Sequence, residues 1–302
     1  MKPVLEFLNI SRSYKRGVVV LKDVSFSVGQ GEVVALLGRN GTGKTTLINI
    51  ALGLVKPERG EVRVFGMSPK TNAAAIRERI GYASEDGALR GGETVGELIA
   101  FHRKFFRRWN DALENELLNR FGLSRRDRIR RLSNGQQRQV GLLCAVSHYA
   151  DLLLLDEPAA GLDPAARREF LETSIQLLNR EGTTILFSSH HMTDVERLGG
   201  RIVLLDQGTV RLDRDLDRVR GEVCVAIVPR ALAPNGDVFQ HAAGCLRVRA
   251  AQQDWHVVIE GAPDDVRARL AVLIRNERIH CAAVPLEELF VELVGSERQE
   301  DL

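Results

Sequence analysis

Hydrophobic positions divide the 302-residue chain into three textures. In residues 1–37 short alternating stretches dominate: Val4-Leu5-Glu6-Phe7-Leu8, Val18-Val19-Val20-Leu21 and Val24-Ser25-Phe26-Ser27-Val28, with Gly17, Gly29 and Gly31 at the turns. A period of two places every second side chain on one face, so these stretches predict short antiparallel strands. Glu32-Val33-Val34-Ala35-Leu36-Leu37 is nearly continuous in apolar residues, as a strand buried on both faces requires.

Between about 86 and 150 the period lengthens to that of a helix. Val95, Leu98, Ile99, Phe101 and His102 share one side of a segment ending near Trp109; Leu113, Leu117, Leu118 and Phe121 share the next, with Gly122 as its stop. Strand signals return at 152–155, 183–187 and 201–205, separated by helix-length stretches, so β and α alternate around a parallel sheet. Beyond 218 come short strands at 223–228, 246–249 and 256–259, a helix over 263–276 and a last helical segment through Leu286, Leu289, Phe290 and Leu293. The expected architecture is an α/β P-loop NTPase core with an N-terminal antiparallel β-subdomain and an inserted helical subdomain, over 1–217, followed by a small α+β domain over 218–302.

Composition narrows the function classes. Lys and Arg total 42 against 40 Asp and Glu, a formal charge of +2, which argues against a protein that binds chiefly by neutralising nucleic-acid phosphates. The basic runs at 103–108 and 125–131 therefore read as solvated faces of the helical subdomain. The four cysteines form no C-x-x-C pair, so neither a zinc site nor a disulfide framework is expected. The longest aliphatic runs fall far short of the roughly 20 residues that span a bilayer. These features suggest a soluble, cytoplasmic chain.

Two motifs carry chemistry. Gly38-Arg39-Asn40-Gly41-Thr42-Gly43-Lys44-Thr45 fits G-x-x-x-x-G-K-[ST] between a buried strand and the apolar helix that begins at Thr46. The glycines let the backbone curl so that its amides face phosphate, Lys44 reaches the outer phosphates and Thr45 offers a hydroxyl to Mg²⁺. Leu152-Leu153-Leu154-Leu155-Asp156-Glu157 supplies the complement: Asp156 to hold Mg²⁺ and Glu157 to orient or deprotonate the attacking water.

The order of these motifs resembles that of the ATP-binding subunit of a bacterial ABC transporter, of an exporter-like type, over residues 1–217. Leu132-Ser133-Asn134-Gly135-Gln136 stands where that family carries LSGGQ, with Asn134 in place of a glycine. The resemblance implies that Ser133, Gly135 and Gln136 of one copy close over the ATP held by Gly38, Asn40, Gly41, Thr42, Gly43, Lys44, Thr45 and Thr46 of another, in a homodimer or a heterodimer with a similar ATPase. It implies a D-loop at Ala160-Gly161-Leu162-Asp163, a γ-phosphate switch at His190, adenine stacking by Tyr14, and a Q-loop whose usual Gln is Glu85, an oxygen ligand near Mg²⁺. It further implies ATP hydrolysis that powers transport, with export the expected direction, through a separate transmembrane permease subunit that holds the chain on the inner face of the cell membrane. The alternative is a soluble ABC-type ATPase acting on ribosomes or nucleic acid. The two-cassette chains, coiled coils and zinc insertions of such relatives are missing from this sequence.

Overall fold

The N-terminal alternation folds as two long strands, β1 (Pro3–Tyr14) and β2 (Val18–Gly29), where the sequence predicts three short ones. Their antiparallel ladder runs from Pro3↔Gly29 to Tyr14↔Val18 and survives the breaks in pattern because each strand absorbs a bulge. Asn9 and Asp23 take positive φ, 51° and 47°. These are residue types that tolerate the left-handed region. Ser side chains knit the bulges across the ladder: the Asn9 amide donates to Ser25 Oγ at 2.8 Å, and Ser11 Oγ donates to Asp23 Oδ1 at 2.9 Å.

The computed structural model describes residues 2–14, 17–84 and 92–294, with the side chains of 174–181 excepted. After β3 (Val33–Leu37) and α1 (Lys44–Ala51) comes β4 (Arg59–Val64), which joins β1 to give the antiparallel order β2-β1-β4. α2 (Pro69–Arg77) and β5 (Ile80–Ser84) lead to the helical subdomain, α3 (Val95–Arg103), α4 (Asp111–Arg120) and α5 (Asn134–Val146). The core then continues as β6 (Leu152–Asp156), α6 (Pro164–Glu181), β7 (Thr184–Ser189), α7 (Met192–Leu198), β8 (Arg201–Asp206) and β9 (Thr209–Asp215).

The six-stranded sheet has the order β5-β6-β7-β3-β8-β9, with β5 to β8 parallel. Because β3 is inserted beside β7, the C-terminal ends of β3, β6 and β7 are neighbours although they lie far apart in sequence. Open parallel sheets collect ligands at such ends. Leu5, Phe7 and Ile10 of β1, Leu36 of β3, Leu47 and Ile48 of α1, and Leu154, Leu186 and Val203 of the central strands form one buried cluster. Truncating a residue such as Leu47 there would cost about 2–5 kcal/mol. The loop between β3 and α1 is thus anchored at both ends in a close-packed core.

The chain divides into two units, Met1–Val210 and Arg211–Leu302, with the division inside β9. The second unit contains α8 (Leu216–Glu222), β10 (Val223–Pro229), α9 (Asp237–Gln240), β11 (Cys245–Ala250), β12 (Asp254–Glu260), α10 (Pro263–Ile274), β13 (His280–Ala282) and α11 (Leu286–Val294). Its sheet, β11-β12-β10-β13, is antiparallel throughout. Cys224, Ala226 and Val228 of β10 alternate into a core with Phe239, Val257, Ile259, Val266 and Leu270. All four cysteines are free thiols, and burial pushes Cys144 up to about 12 and Cys281 up to about 11. Among the described residues no helix is long and apolar enough to cross a membrane.

Candidate active site

The turn after β3 is shaped by two glycines that no other residue could replace without movement. A Cβ at Gly38 would lie 2.6 Å from the Leu205 carbonyl oxygen, and one at Gly43, where φ is 105°, would lie 2.5 Å from Leu21 Cδ2. Gly43 is also the N-cap of α1, so the positive end of that helix opens on the curled loop. Lys44 is the first helical residue and 5% exposed; its ammonium donates to the carbonyl oxygens of Gly38 at 2.7 Å and Arg39 at 3.2 Å. Thr42 bonds back to Arg39 O at 2.9 Å, while Thr45 is exposed on the first turn and Thr46 is buried. The cradle expected at 38–46 is therefore built from backbone, with one ammonium folded into it.

The end of β6 delivers the carboxylates. Asp156 is buried, and Glu157 follows it in the left-handed region at φ 48°. A bulky non-glycine residue held there is strained, and such strain is characteristic of functional sites. Glu157 stands between two basic groups: Lys44 Nζ lies 3.0 Å from Oε1 and His190 Nδ1 lies 2.8 Å from Oε2. The Lys44 contact is a close ion pair rather than an aligned hydrogen bond, for Glu157 Oε1 is buried without a hydrogen-bond partner.

Ser188 and Ser189, to which sequence reasoning gave no role, hold this arrangement. The fully buried Ser188 Oγ donates to Asp156 Oδ1 at 2.6 Å and accepts the Glu157 amide at 2.9 Å, so one hydroxyl ties both carboxylate residues to β7. Ser189 Oγ donates to Asp194 Oδ2 at 2.8 Å. The signal for both lay in the sequence: polar residues at the end of an otherwise apolar strand must find buried partners. Burial holds His191 below the ordinary histidine value, with the Arg167 and His190 charges acting in the same sense. It is His190 that reaches Glu157.

Tyr14 ends β1 with its ring 44% exposed and its hydroxyl 3.3 Å from Thr46 Oγ1, which places the ring beside the start of α1; the Arg12 guanidinium lies 5.1 Å from the ring centroid. Ser133, Gly135 and Gln136 lie at the start of α5. Ser133 is its N-cap and closes a capping box with Gln136, at 3.2 Å and 3.1 Å, and its hydroxyl proton remains available to a further acceptor. Gly135 faces Ala166 and Leu162 of the segment that opens α6. The structure thus joins Lys44, Glu157 and His190 through direct contacts, ties Asp156 to Glu157 through Ser188, places Thr45 next to Lys44 on the first turn of α1, and leaves the hydrogen bonds of Ser133 and Gln136 within their own cap. Glu85 lies outside the described residues. Among the described residues no cluster of three His, Cys, Asp or Glu forms a metal cage. The exposed hydroxyl of Thr45 and the carboxylate of Asp156 are hard oxygen donors that fit Mg²⁺, which takes few ligands from protein and keeps much of its water.

A parallel sheet with a glycine-built phosphate cradle after β3 and an acidic pair after β6 defines a P-loop nucleotide-hydrolysing protein. The family model described as ABC transporter matches residues 21–160. The "Linearmycin resistance ATP-binding protein LnrL" of Bacillus subtilis is 35% identical over 210 residues, 68% of this chain and 67% of that protein. The "Nod factor export ATP-binding protein I" of Rhizobium leguminosarum bv. viciae is 34% identical over 214 residues, covering 69% and 68%. A longer match, 29% identical over 93% of this chain and 92% of the relative, is to the "Uncharacterized ABC transporter ATP-binding protein YdbJ" of Bacillus subtilis. Among solved structures, an ATP-binding subunit of an ABC transporter superposes with a TM-score of 0.64 at 31% identity, over 72% of this chain and 92% of its own. The chain belongs to the ABC transporter ATP-binding family, and it is an ATPase of that family.

Proposed function

We propose that this ATPase works as a dimer, hydrolyses Mg·ATP at a site completed by the partner copy, and powers export through a separate membrane subunit. The observation that carries the chemistry is the line Lys44–Glu157–His190, with contacts of 3.0 Å and 2.8 Å, laid across the mouth of the phosphate cradle. A γ-phosphate entering that cradle competes with Glu157 for the Lys44 ammonium. The released carboxylate is then held by His190 alone, oriented to take a proton from an attacking water, and the ammonium stabilises the charge that develops on the transferred group. Thr45 and Asp156 would hold Mg²⁺, which supplies neutralisation of the phosphate oxygens.

Self-assembly is supported by the cap of α5: Ser133 accepts the Gln136 amide, so its hydroxyl proton is kept for an acceptor from outside the cap, such as the nucleotide of a partner copy. The export direction rests on the names of the linearmycin-resistance and Nod-factor relatives. A membrane partner finds a candidate receiving surface in a cavity of about 880 Å³ whose lining includes Tyr82, Phe106, Arg138 and His148. This docking would place the chain on the inner face of the membrane. The test is the Glu157→Gln variant in size-exclusion chromatography with millimolar Mg·ATP. The variant is expected to elute as a stable dimer with ATP and as a monomer with ADP. Persistent monomer with ATP overturns the shared site, and severalfold stimulation of wild-type ATPase by RNA or DNA overturns the transport reading.

A further inference from the structure

The recognised motifs stop at His190, but the loop that carries it is held by groups beyond them. Arg167 lies in the first turns of α6, whose N-cap is Asp163, and it forks onto Asp194 of α7 with Nε at 2.7 Å from Oδ1 and Nη2 at 2.6 Å from Oδ2. Both partners are largely withdrawn from water, at 19% and 7% side-chain exposure. Asp194 Oδ2 also accepts the Ser189 hydroxyl at 2.8 Å, and Ser189 Oγ in turn accepts the His191 amide at 3.0 Å.

A hydroxyl has one proton. The 2.8 Å contact to a carboxylate takes it, leaving the 3.3 Å approach of Ser189 Oγ to the His191 carbonyl as a lesser contact. With that proton committed, a lone pair is left to receive the His191 amide. The residues immediately before and after His190 are thereby clamped to one oxygen atom, and the clamp is oriented by Asp194, itself fixed by the Arg167 fork. His190 leaves this clamped turn to reach Glu157 Oε2 at 2.8 Å. A bidentate pair of planar groups fixes direction as well as distance, and a lysine at 167 would offer no such fork.

From this geometry we infer that Arg167 and Asp194 are positioning residues for ATP hydrolysis: they set the rotational placement of His190, and through it that of the Glu157 carboxylate. Neither touches the reacting atoms. The pair also makes the first turns of α6, which begin directly after Asp163, the mechanical support of His190. The inference rests on the proposed roles of Glu157 and His190, and its test is built to separate the two.

Asp194→Asn preserves shape but removes the charge that receives the fork, and Arg167→Lys preserves charge but removes the fork. Both are expected to lower kcat for ATP roughly tenfold or more while KM for ATP stays within about twofold, since neither residue lines the phosphate cradle. Because the effect passes through His190, Asp194→Asn added to His190→Ala should cost no more than His190→Ala alone. A readout independent of turnover is the long-range ¹H–¹⁵N spectrum of the full chain without nucleotide. There the His190 ring signal should shift or broaden in Asp194→Asn relative to wild type.

If His190→Ala retains wild-type kcat, the reading of the site itself fails. If His190→Ala is impaired while Asp194→Asn is not, or the two losses multiply, or the His190 ring signal is unmoved, the positioning role is overturned and the site reading stands. Thermal unfolding of each variant guards against a merely folded-fraction effect: a kcat loss that vanishes on correction for folded protein also overturns the role.

Discussion

Each unit of the molecule carries a glutamate held between a cation and a histidine. In the first, Glu157 lies 3.0 Å from Lys44 and 2.8 Å from His190; in the second, Glu292 lies 2.6 Å from Arg249 and 3.0 Å from His256. Residue types and distances nearly coincide, and the settings do not. Glu292 sits on the regular helix α11, and the Arg249 fork reaches both its oxygens at 2.6 and 2.9 Å, with His256 adding a bond to Oε1. Glu157 sits at φ 48° beside a backbone cradle, its two oxygens divided between the Lys44 ammonium and the His190 ring. The satisfied cluster fastens a helix to a sheet. The strained one, with no bidentate fork to hold it, is equipped to change partners, and reactivity follows from that difference rather than from residue identity.

The largest effect that tests this contrast is on turnover. Glu157→Gln should lower kcat by about two to four orders of magnitude, the contribution of a positioned general base, with ATP binding retained. Glu292→Gln should leave kcat within about twofold. Phosphate release by the two purified variants checks the pair, and a tenfold loss in Glu292→Gln would break the comparison. Next comes Ser188→Ala. It leaves the part-buried Glu157 amide without its acceptor and removes a proton donor from Asp156, which should cost about 1–3 kcal/mol of stability and raise the Mg²⁺ concentration needed for half-maximal activity. Urea unfolding and a Mg²⁺ titration measure these; an unchanged titration removes Ser188 from the site.

The expected strength of the second cluster is smaller. Removing one member of a fully buried ion pair costs 3–5 kcal/mol. Arg249 and His256 retain 24% and 22% side-chain exposure, so water shares their charge in the variant. Glu292→Ala should therefore cost about 1–3 kcal/mol, read as a lower urea midpoint with ATPase activity intact under native conditions.

How much of this was legible in the sequence follows the same division. Gly38 to Thr45 and Asp156-Glu157 could be read because their chemistry is local: a turn needs glycine, and a buried strand that ends in two acids announces a site. The helical subdomain and the strands of the second unit were legible from periodicity. β4 and β13 were not, since Arg59–Val64 mixes charge into a half-exposed strand and His280–Ala282 is too short to show a period. The continuity of β1 and β2 through their bulges was hidden for a different reason, as Asn9 and Asp23 read as turn residues. The sequence marks Ser188 as a polar group that needs a buried partner, but neither it nor Asp194 could be read as a site-builder, because their partners are 32 and 27 residues away in sequence and are brought near only by the strand order.

The smallest effect is the dependence of stability on pH, and it isolates the second cluster. Burial alone would raise the Glu292 carboxyl, but the hydrogen bonds from Arg249 and His256 outweigh it and hold the group below its ordinary value of 4.5. A carboxylate depressed in the folded chain stabilises fully above that ordinary value, and the contribution is lost as pH falls through it toward the folded value. His148 behaves alike in direction at higher pH. Burial against Phe106, whose ring stacks on it at 3.7 Å, keeps it below its ordinary value of 6.5, so the cost of charging it begins as pH drops through that value. Acid titration of wild-type stability should therefore decline in two stages, the first shared by His148 with His102 and His191, which are held low in the same sense, and the second shared by Glu292 with Glu61 and Glu97. The difference between wild type and Glu292→Gln should be constant from neutral pH down to about 5 and should shrink only below it, because Gln lacks the proton linkage of Glu. A difference that already shrinks near pH 6 would overturn the assignment of the linkage to Glu292.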